Sequence, residues 1–179
     1  MSTILFVHRL FGATALDVAT YEEIEADRTA TPQALAVVLM SAAAAGIGAR
    51  GFGADQQIPL VGVAIIALIA WSAWAVITLH IGGRMFPEPA TKVDLGELLR
   101  TLGFASAPGI LRVFGLITPL AEPMFILTAI WMLLAMIVAV RQALDYTSTL
   151  RAVAVCTFGF ALAIIVAAVL GMVFTTPVA

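Results

Sequence analysis

Charged side chains are scarce in this chain of 179 residues, which has nine Lys and Arg residues, eleven Asp and Glu residues and a hydrophobic fraction of 62%. A water-soluble domain of this size would need far more polar surface. No basic patch is present, so the composition gives no reason to expect a nucleic-acid partner. The deficit of polar residues instead predicts that membrane lipids surround most of the protein.

Residues that could catalyse a reaction or bind a metal ion are equally few. Cys156 is the one cysteine and lies in an apolar stretch, where a lone cysteine usually behaves as a small hydrophobic residue. The two histidines are far apart, and no second histidine or cysteine stands at metal-binding spacing. The sequence also lacks an HExxH motif, a glycine-rich phosphate loop and a nucleophile paired with a base. We therefore expect neither an enzyme nor a cofactor or metal site.

Five long apolar stretches dominate what is present, near residues 32–48, 58–81, 101–120, 123–140 and 152–174. A bilayer core of about 30 Å is crossed by roughly 20 apolar residues in a helix. The pattern predicts an all-α polytopic membrane protein, with five transmembrane helices in a domain over 32–179. A short cytoplasmic or interfacial helical segment over 1–31 precedes it, and we expect no cleavable signal peptide.

The basic residues lie mostly in alternate gaps between these stretches. Seven of them fall on one side of the membrane if the chain crosses five times, and that side would be the cytoplasm. The N-terminus is then cytoplasmic and the C-terminus outside, which for a bacterial protein means the inner membrane. Five spans do not divide into two equal halves, so a transporter built from two repeats is disfavoured.

The N-terminal segment predicts two short helices. Ile4, Val7 and Phe11 share one face over residues 3–12, which indicates a helix lying in the membrane interface or one docked on the protein's own spans. Thr20 and Glu23 have capping-box spacing, which predicts a second helix over 21–27.

Several residues predict where the longer helices begin and end. Thr31 before Pro32 predicts the start of the first span, and Asp94 with Glu97 predicts a capped start of the third helix. Pro108 should bend or break that third helix. Pro123 predicts the start of the fourth helix. The small residues of 41–48 indicate close packing of the first span against a neighbouring helix.

Arg112 is the ionisable residue that we place inside the hydrocarbon region, where a charge costs roughly 2.5–3.5 kcal/mol. Glu122 lies across the next turn, and we expect an Arg112–Glu122 ion pair in preference to a lipid or anion site. Arg141 and Asp145 are one helical turn apart and predict a second pair.

Four runs of sequence carry a resemblance to a known family: Tyr21–Leu35, Ile81–Thr91, Glu97–Gly109 and Val140–Val153. By these runs, most of the chain resembles the bacterial branch of the Yip-one (Yip1 domain) family of membrane proteins. The resemblance implies five membrane helices with a cytoplasmic N-terminus. Eukaryotic relatives are adaptors for prenylated Rab-type GTPases, but this chain lacks their long N-terminal region and DLYGP-type motif. A Rab-binding role is therefore not carried over.

The four runs lie mostly on the predicted cytoplasmic side, which suggests a partner-binding site there. The alternative is that these acids and bases pair with one another and fix helix ends. The candidate residues are Tyr21, Glu22, Glu23, Glu25, Asp27, Arg84 and Arg100, with Arg141 and Asp145.

Three functions remain open from the sequence. The first is a non-catalytic scaffold or accessory protein that binds another integral membrane protein or a second copy of itself. The second is a lipid- or membrane-organising protein that uses residues 3–12 and the broken third helix. The third is a small-solute permease with a site near Arg112 and Pro108.

Overall fold

The computed structural model describes residues 3–53, 60–89 and 91–161, and this part of the chain contains helices and no strand, as the all-α prediction requires. Seven α-helices are described in chain order. They are α1 (Thr3–Thr14), α2 (Val18–Ala26), α3 (Thr31–Gly48), α4 (Leu60–His80), α5 (Leu95–Ala105), α6 (Thr118–Ala143) and α7 (Thr149–Ala161).

Helices of other pitch extend or connect these elements. Short 3₁₀ helices flank α3 at Arg28–Ala30 and Ala49–Phe52, and a π-helical turn, Ile81–Met85, prolongs α4. A ten-residue 3₁₀ helix, Ala107–Leu116, follows α5. This 3₁₀ helix is unusual, because such runs rarely exceed three or four residues.

Among the described residues, three helical segments are long and apolar enough to cross a bilayer: Arg28–Phe52, Ala64–Met85 and Thr118–Ala143. The predicted count of five spans is therefore not confirmed. Residues 162–174 of the fifth stretch, and the C-terminus whose side was predicted, lie outside the described residues. The exposed Ile66, Ile69 and Ile130 are suited to lipid contact.

The third stretch is not a single helix but two consecutive pieces. Pro108 lacks a backbone N–H, and α5 ends at Ala105 as the predicted break requires. The eleven residues of α5 rise roughly 16 Å and the ten 3₁₀ residues about 20 Å, so neither piece by itself is long enough to cross a bilayer core of about 30 Å.

These two pieces run beside α3 and in the same direction. A Cβ added to Gly103 would lie 2.7 Å from the Ala34 side chain, and one added to Gly48 would collide with the backbone carbonyl of Arg112. The glycines let the two backbones touch, as the small residues of 41–48 predicted. The pair therefore extends from one end of the bundle to the other.

Two predicted helix starts are wrong. The second helix begins at Val18 and its N-cap is Asp17, whose carboxylate accepts from the backbone N–H of Thr20, so Thr20 is not the cap. The fourth begins at Thr118, because Pro119 occupies the first turn and Pro123 falls inside the helix. Both errors place the start too late, since an acceptor or proline further upstream already supplies the first turn.

The helix start at Thr31 is correct, but its capping residue is not. A 3₁₀ helix leads directly into α3, and Ala30 occupies the N-cap position without a side-chain cap. The predicted capping box at the start of α5 is confirmed: the Asp94 carboxylate accepts from the Glu97 N–H at 2.9 Å, and the Glu97 carboxylate accepts from the Asp94 N–H at 2.8 Å.

Candidate functional site

The four sequence runs meet at one end of the helix bundle, which we name the polar end. It contains α2, the start of α3, the loop after α4, the start of α5 and the loop between α6 and α7. The cross-links described below join each of these segments to at least one other. Residues far apart in sequence are therefore held in one assembly at this end.

Arg9 forms a deeply buried cross-link, with 2% of its side chain exposed. Its guanidinium donates to the Glu23 carboxylate at 2.8 and 3.0 Å, to the Asp27 carboxylate at 2.7 Å and to the amide oxygen of Gln33 at 3.2 Å. A buried charge is tolerated when it is paired and hydrogen-bonded in this way. This cluster, the Arg9 cluster, ties α1 to α2 and to the start of α3.

Two predicted partner-binding acids belong to the Arg9 cluster. Glu23 and Asp27 both accept hydrogen bonds from Arg9, but their side chains remain 42% and 29% exposed, so partner binding by these acids stays a prediction. Hydrogen bonds from Thr29 and from Arg9 lower the pKa of Asp27 to about 2, which keeps it ionised. No local pattern indicated this role for Arg9, because its acidic partners are 14 and 18 residues away in the chain.

Arg100 and Tyr21 are also internal. The Arg100 Nε donates to the carbonyls of Ile24 at 3.2 Å and Glu25 at 3.1 Å, at the last turn of α2. A cation there satisfies helix-end carbonyls and suits the helix dipole. Tyr21 is fully buried and donates to the Ala13 carbonyl at 3.3 Å. Both residues thus bond to the protein's own backbone, as the helix-fixing alternative expects, and partner binding by either stays a prediction.

The loop after α4 docks on the loop between α6 and α7. The Tyr146 hydroxyl lies 2.9 Å from the carbonyl oxygen of Gly82 and 2.8 Å from that of Phe86, and donates into this π-helical turn. The Glu88 carboxylate accepts from the backbone N–H of Thr147 at 3.0 Å and from its hydroxyl at 2.8 Å. These bonds join the second and fourth sequence runs.

An open groove of about 460 Å³ lies between α2, α5 and the end of α6, and we name it the acidic groove. Glu25 lines this groove, and its pKa is raised to about 7 by burial and by the nearby carboxylates of Asp145 and Glu97. The groove is lined by Val18, Glu22, Glu25, Ala26, Glu97, Arg141, Gln142, Asp145 and Tyr146.

The predicted Arg141–Asp145 ion pair does not form in the described structure. Arg141 donates through Nε to the Tyr146 carbonyl at 3.3 Å, while the Asp145 carboxylate accepts from the Lys92 backbone N–H at 3.4 Å. The reason is that α6 ends before the pair can form, and Asp145 has a positive φ of 51°. Both residues instead line the acidic groove.

Glu22 and Arg84 are predicted site residues with exposed side chains. Glu22 lies at the acidic groove and accepts from the Gln142 side chain at 3.1 Å. Arg84 lies in the π-helical turn, is exposed, and is not part of the groove lining. The structure thus assembles Glu22 and Glu25 with Arg141 and Asp145, and leaves Arg84 apart from them.

Arg112 has partners other than the predicted Glu122. Its Nε donates to the Thr128 hydroxyl at 3.1 Å, and its guanidinium lies 5.3 Å from the centre of the Phe125 ring. The Thr128 hydroxyl in turn donates to the Met124 carbonyl at 2.7 Å. The Arg112–Glu122 pair is absent from the ion pairs of the described residues, because the first turns of α6 place Thr128 nearer than the exposed Glu122.

The described residues include no group of three or more His, Cys, Asp or Glu side chains that could hold a metal ion. Cys156 is buried in α7. What the polar end offers chemically is a shaped, charged surface. Such a surface is suited to recognition.

Comparison with known proteins gives one result. The family model of the Yip1 domain matches residues 17–170. No curated protein and no solved structure matches the chain. The matched region covers all four sequence runs and both loops of the polar end.

Proposed function

Because the chain belongs to the Yip1 domain family of membrane proteins, we propose that it acts as a non-catalytic scaffold or accessory subunit. Its partner is another integral membrane protein or a second copy of this chain. The partner contacts the polar end, and the apolar faces of the spanning helices lie against lipid or against the partner's helices.

The acidic groove is the observation that carries this proposal. The other charged groups of the polar end are mostly engaged internally, as in the Arg9 cluster. The carboxylates of Glu22 and Glu25 instead border an open groove of about 460 Å³. A rigid frame that presents a few available charges is suited to selecting a partner by charge complementarity.

We further propose that the polar end faces the cytoplasm in the inner membrane of a bacterium, with the C-terminus outside. The distribution of basic residues supports this orientation. Arg84, Arg100, Arg141 and Arg151 lie in or beside the loops that meet at the polar end. Positively charged loops are retained on the cytoplasmic side.

Site-specific photocrosslinking in the source membrane, followed by native purification in mild detergent, tests the scaffold proposal. A photoreactive residue at Glu22 should give one discrete crosslinked product. The same residue at Thr29, which is exposed outside the groove, is the matched control and should give none. Mass analysis of the intact assembly identifies the product as a hetero-complex or a homo-oligomer. A bare monomer with no crosslink at Glu22 contradicts the proposal.

A second candidate function, membrane organisation, is favoured by α1. One face of this helix docks on the bundle, where the Trp131 indole donates to the Thr14 carbonyl at 2.8 Å and the Phe6 and Phe104 rings lie 6.4 Å apart. On the other face, Ile4 is 83% and Phe11 70% exposed. Such an apolar face is suited to acyl chains. Bound lipid without any protein partner would favour this function.

The packing near Pro108 does not favour the permease alternative. Pro108 is buried, and a Cβ added to Gly109 would collide with the Ser41 hydroxyl and lie 2.9 Å from the Met132 sulfur. Substrate-dependent flux into liposomes, lost in Arg112→Ala, would overturn the scaffold proposal in favour of transport.

A further inference from the structure

A second groove, of about 500 Å³, lies between the loop after α4 and the first turns of α7. We name it the α7 groove. Residues 85–87 form one wall, and Ala154, Val155 and Phe158 form the other. Arg151 is the one charged residue in the lining. The groove therefore combines apolar walls with a single positive charge.

The charge lies at one end of the α7 groove. Positions 151, 154, 155 and 158 share one face of α7, because they are spaced by three and four residues. With a rise of 1.5 Å per residue, Arg151 and Phe158 are separated by about 10 Å along the helix axis. Arg151 is next to the loop, and Phe158 is deeper in the apolar helix. A phospholipid in one leaflet has the same order, with its charged head group near the surface and its acyl chains deeper in the membrane.

Arg151 keeps hydrogen-bonding capacity after its protein contacts are made. Its Nε lies 3.4 Å from the Glu88 carboxylate, its Nη1 donates to the Pro87 carbonyl at 3.3 Å, and its side chain is 51% exposed. Glu88 is already shared with Thr147. A guanidinium has five N–H donors, and within the described part of the chain these two contacts leave Nη2 without a partner.

The surface around the α7 groove is apolar. Met85, Phe86 and Phe158 are exposed large hydrophobic residues that line it. A site for a free phosphate would not need an apolar surface around it, whereas a site for acyl chains does. Pockets of this volume hold small ligands.

We propose that the α7 groove binds one anionic phospholipid. The lipid phosphate lies on the Arg151 guanidinium, and one acyl chain lies along Ala154 and Phe158 between α7 and residues 85–87. This lipid site is separate from the acidic groove, and lipid binding there does not depend on whether the polar end binds a protein.

Native mass spectrometry of the intact protein in detergent tests this proposal, with phosphatidylglycerol as the anionic probe and phosphatidylcholine as its comparison. The wild type should retain one phosphatidylglycerol about tenfold more tightly than phosphatidylcholine. Arg151→Gln should abolish this preference, and Arg151→Lys should keep most of it. Arg28→Gln, which changes an exposed arginine outside the groove, is the matched control and should behave as the wild type.

A second variant tests the contribution of the apolar groove to lipid binding separately from that of the Arg151 charge. Ala154→Trp fills the groove and should prevent retention of either lipid, whereas Ala70→Trp, on an exposed position of α4, should not. Soluble glycerol phosphate at the same concentration should leave the bound lipid in place. Lipid retained unchanged in Ala154→Trp, a headgroup preference that survives in Arg151→Gln, or displacement by glycerol phosphate would each overturn the proposal.

Discussion

The two ends of the described bundle are held together by different forces. At the polar end, charged and hydrogen-bonded side chains cross-link segments through the Arg9 cluster, Arg100 and Tyr146. At the opposite end, α3 and the long 3₁₀ helix touch backbone to backbone at Gly48 and Gly51. Water and lipid head groups can solvate the first kind of contact while the protein folds, but a bilayer core favours the second.

Two arginines, the buried Arg9 and the half-buried Arg112, show the same contrast. Arg9 is matched by two carboxylates and an amide oxygen. Arg112 has one hydroxyl and one aromatic ring. At the polar end, carboxylates thus neutralise the charge of Arg9. On the 3₁₀ helix, the charge of Arg112 has weaker partners, a hydroxyl and an aromatic ring. The predictions below test this difference, from the largest expected effect to the smallest.

Arg9→Ala should have the largest effect. Removing this buried guanidinium takes away its hydrogen bonds to Glu23, Asp27 and Gln33 together. A hydrogen bond to a charged group contributes about 1.5–3 kcal/mol, so we expect a total loss of about 3 kcal/mol or more. Thermal unfolding of the purified variant in detergent measures the loss. Arg28→Ala, an exposed change nearby, should stay within about 0.5 kcal/mol of the wild type. Equal stabilities of the two variants would contradict the role given to the Arg9 cluster.

Gly48→Ala should destabilise the opposite end. Its new Cβ would collide with the Arg112 carbonyl, and overpacking of this kind costs about 1–3 kcal/mol. Gly46→Ala on the same helix has no atom within 4 Å of the added Cβ, so it is the matched control. It should be neutral or stabilising by up to about 1 kcal/mol. The difference in unfolding temperature between the two variants is the measurement, and a difference of zero would refute the close approach.

Arg112→Leu should lower stability without abolishing membrane insertion. A double-mutant cycle with Thr128→Val isolates the contact, and we expect a coupling of about 1 kcal/mol, typical of one hydrogen bond. The same cycle with Glu122→Gln should show no coupling, because Glu122 is not a partner. Coupling to Glu122 instead of Thr128 would restore the ion pair that the sequence suggested.

Glu25→Gln should change the pH dependence of stability. Its pKa is raised to about 7 in the folded state, so between about pH 4.5 and 7 the folded protein binds more protons than the unfolded chain. Stability therefore falls as pH rises through this window, by on the order of 1 kcal/mol after solvent screening. Unfolding temperatures from pH 5 to 8 should decline in the wild type and stay flatter in the variant. Parallel curves would contradict the assignment.

Local signals in the sequence predicted local structure well. The capping box of Asp94 with Glu97, the break at Pro108 and the close packing of 41–48 each depend on neighbours within a few residues or on side-chain size. The side-chain pairings were predicted poorly. Both expected ion pairs joined residues close in sequence, whereas the side-chain hydrogen bonds of Arg9 and Arg112 reach residues 14 to 24 positions away.

The candidate site shows the same division. All of its proposed residues lie in runs that the family resemblance marked, and the structure brings most of them to one end. Sequence reasoning could not separate Glu22 and Glu25, which border a groove, from Glu23 and Asp27, which bind Arg9. These four acids stand within six residues of one another, and only the placement of α1 decides which face of α2 is covered.

The sequence by itself determined that this is an all-helical membrane protein of the Yip1 domain family, because scarcity of charge and the length of apolar runs are properties of composition and order alone. Only the tertiary structure decided which charges are neutralised inside and which remain at a surface. It also showed that the third stretch runs beside α3 as an α-helix followed by a 3₁₀ helix. These features depend on contacts between segments distant in the chain, whose geometry no local pattern encodes.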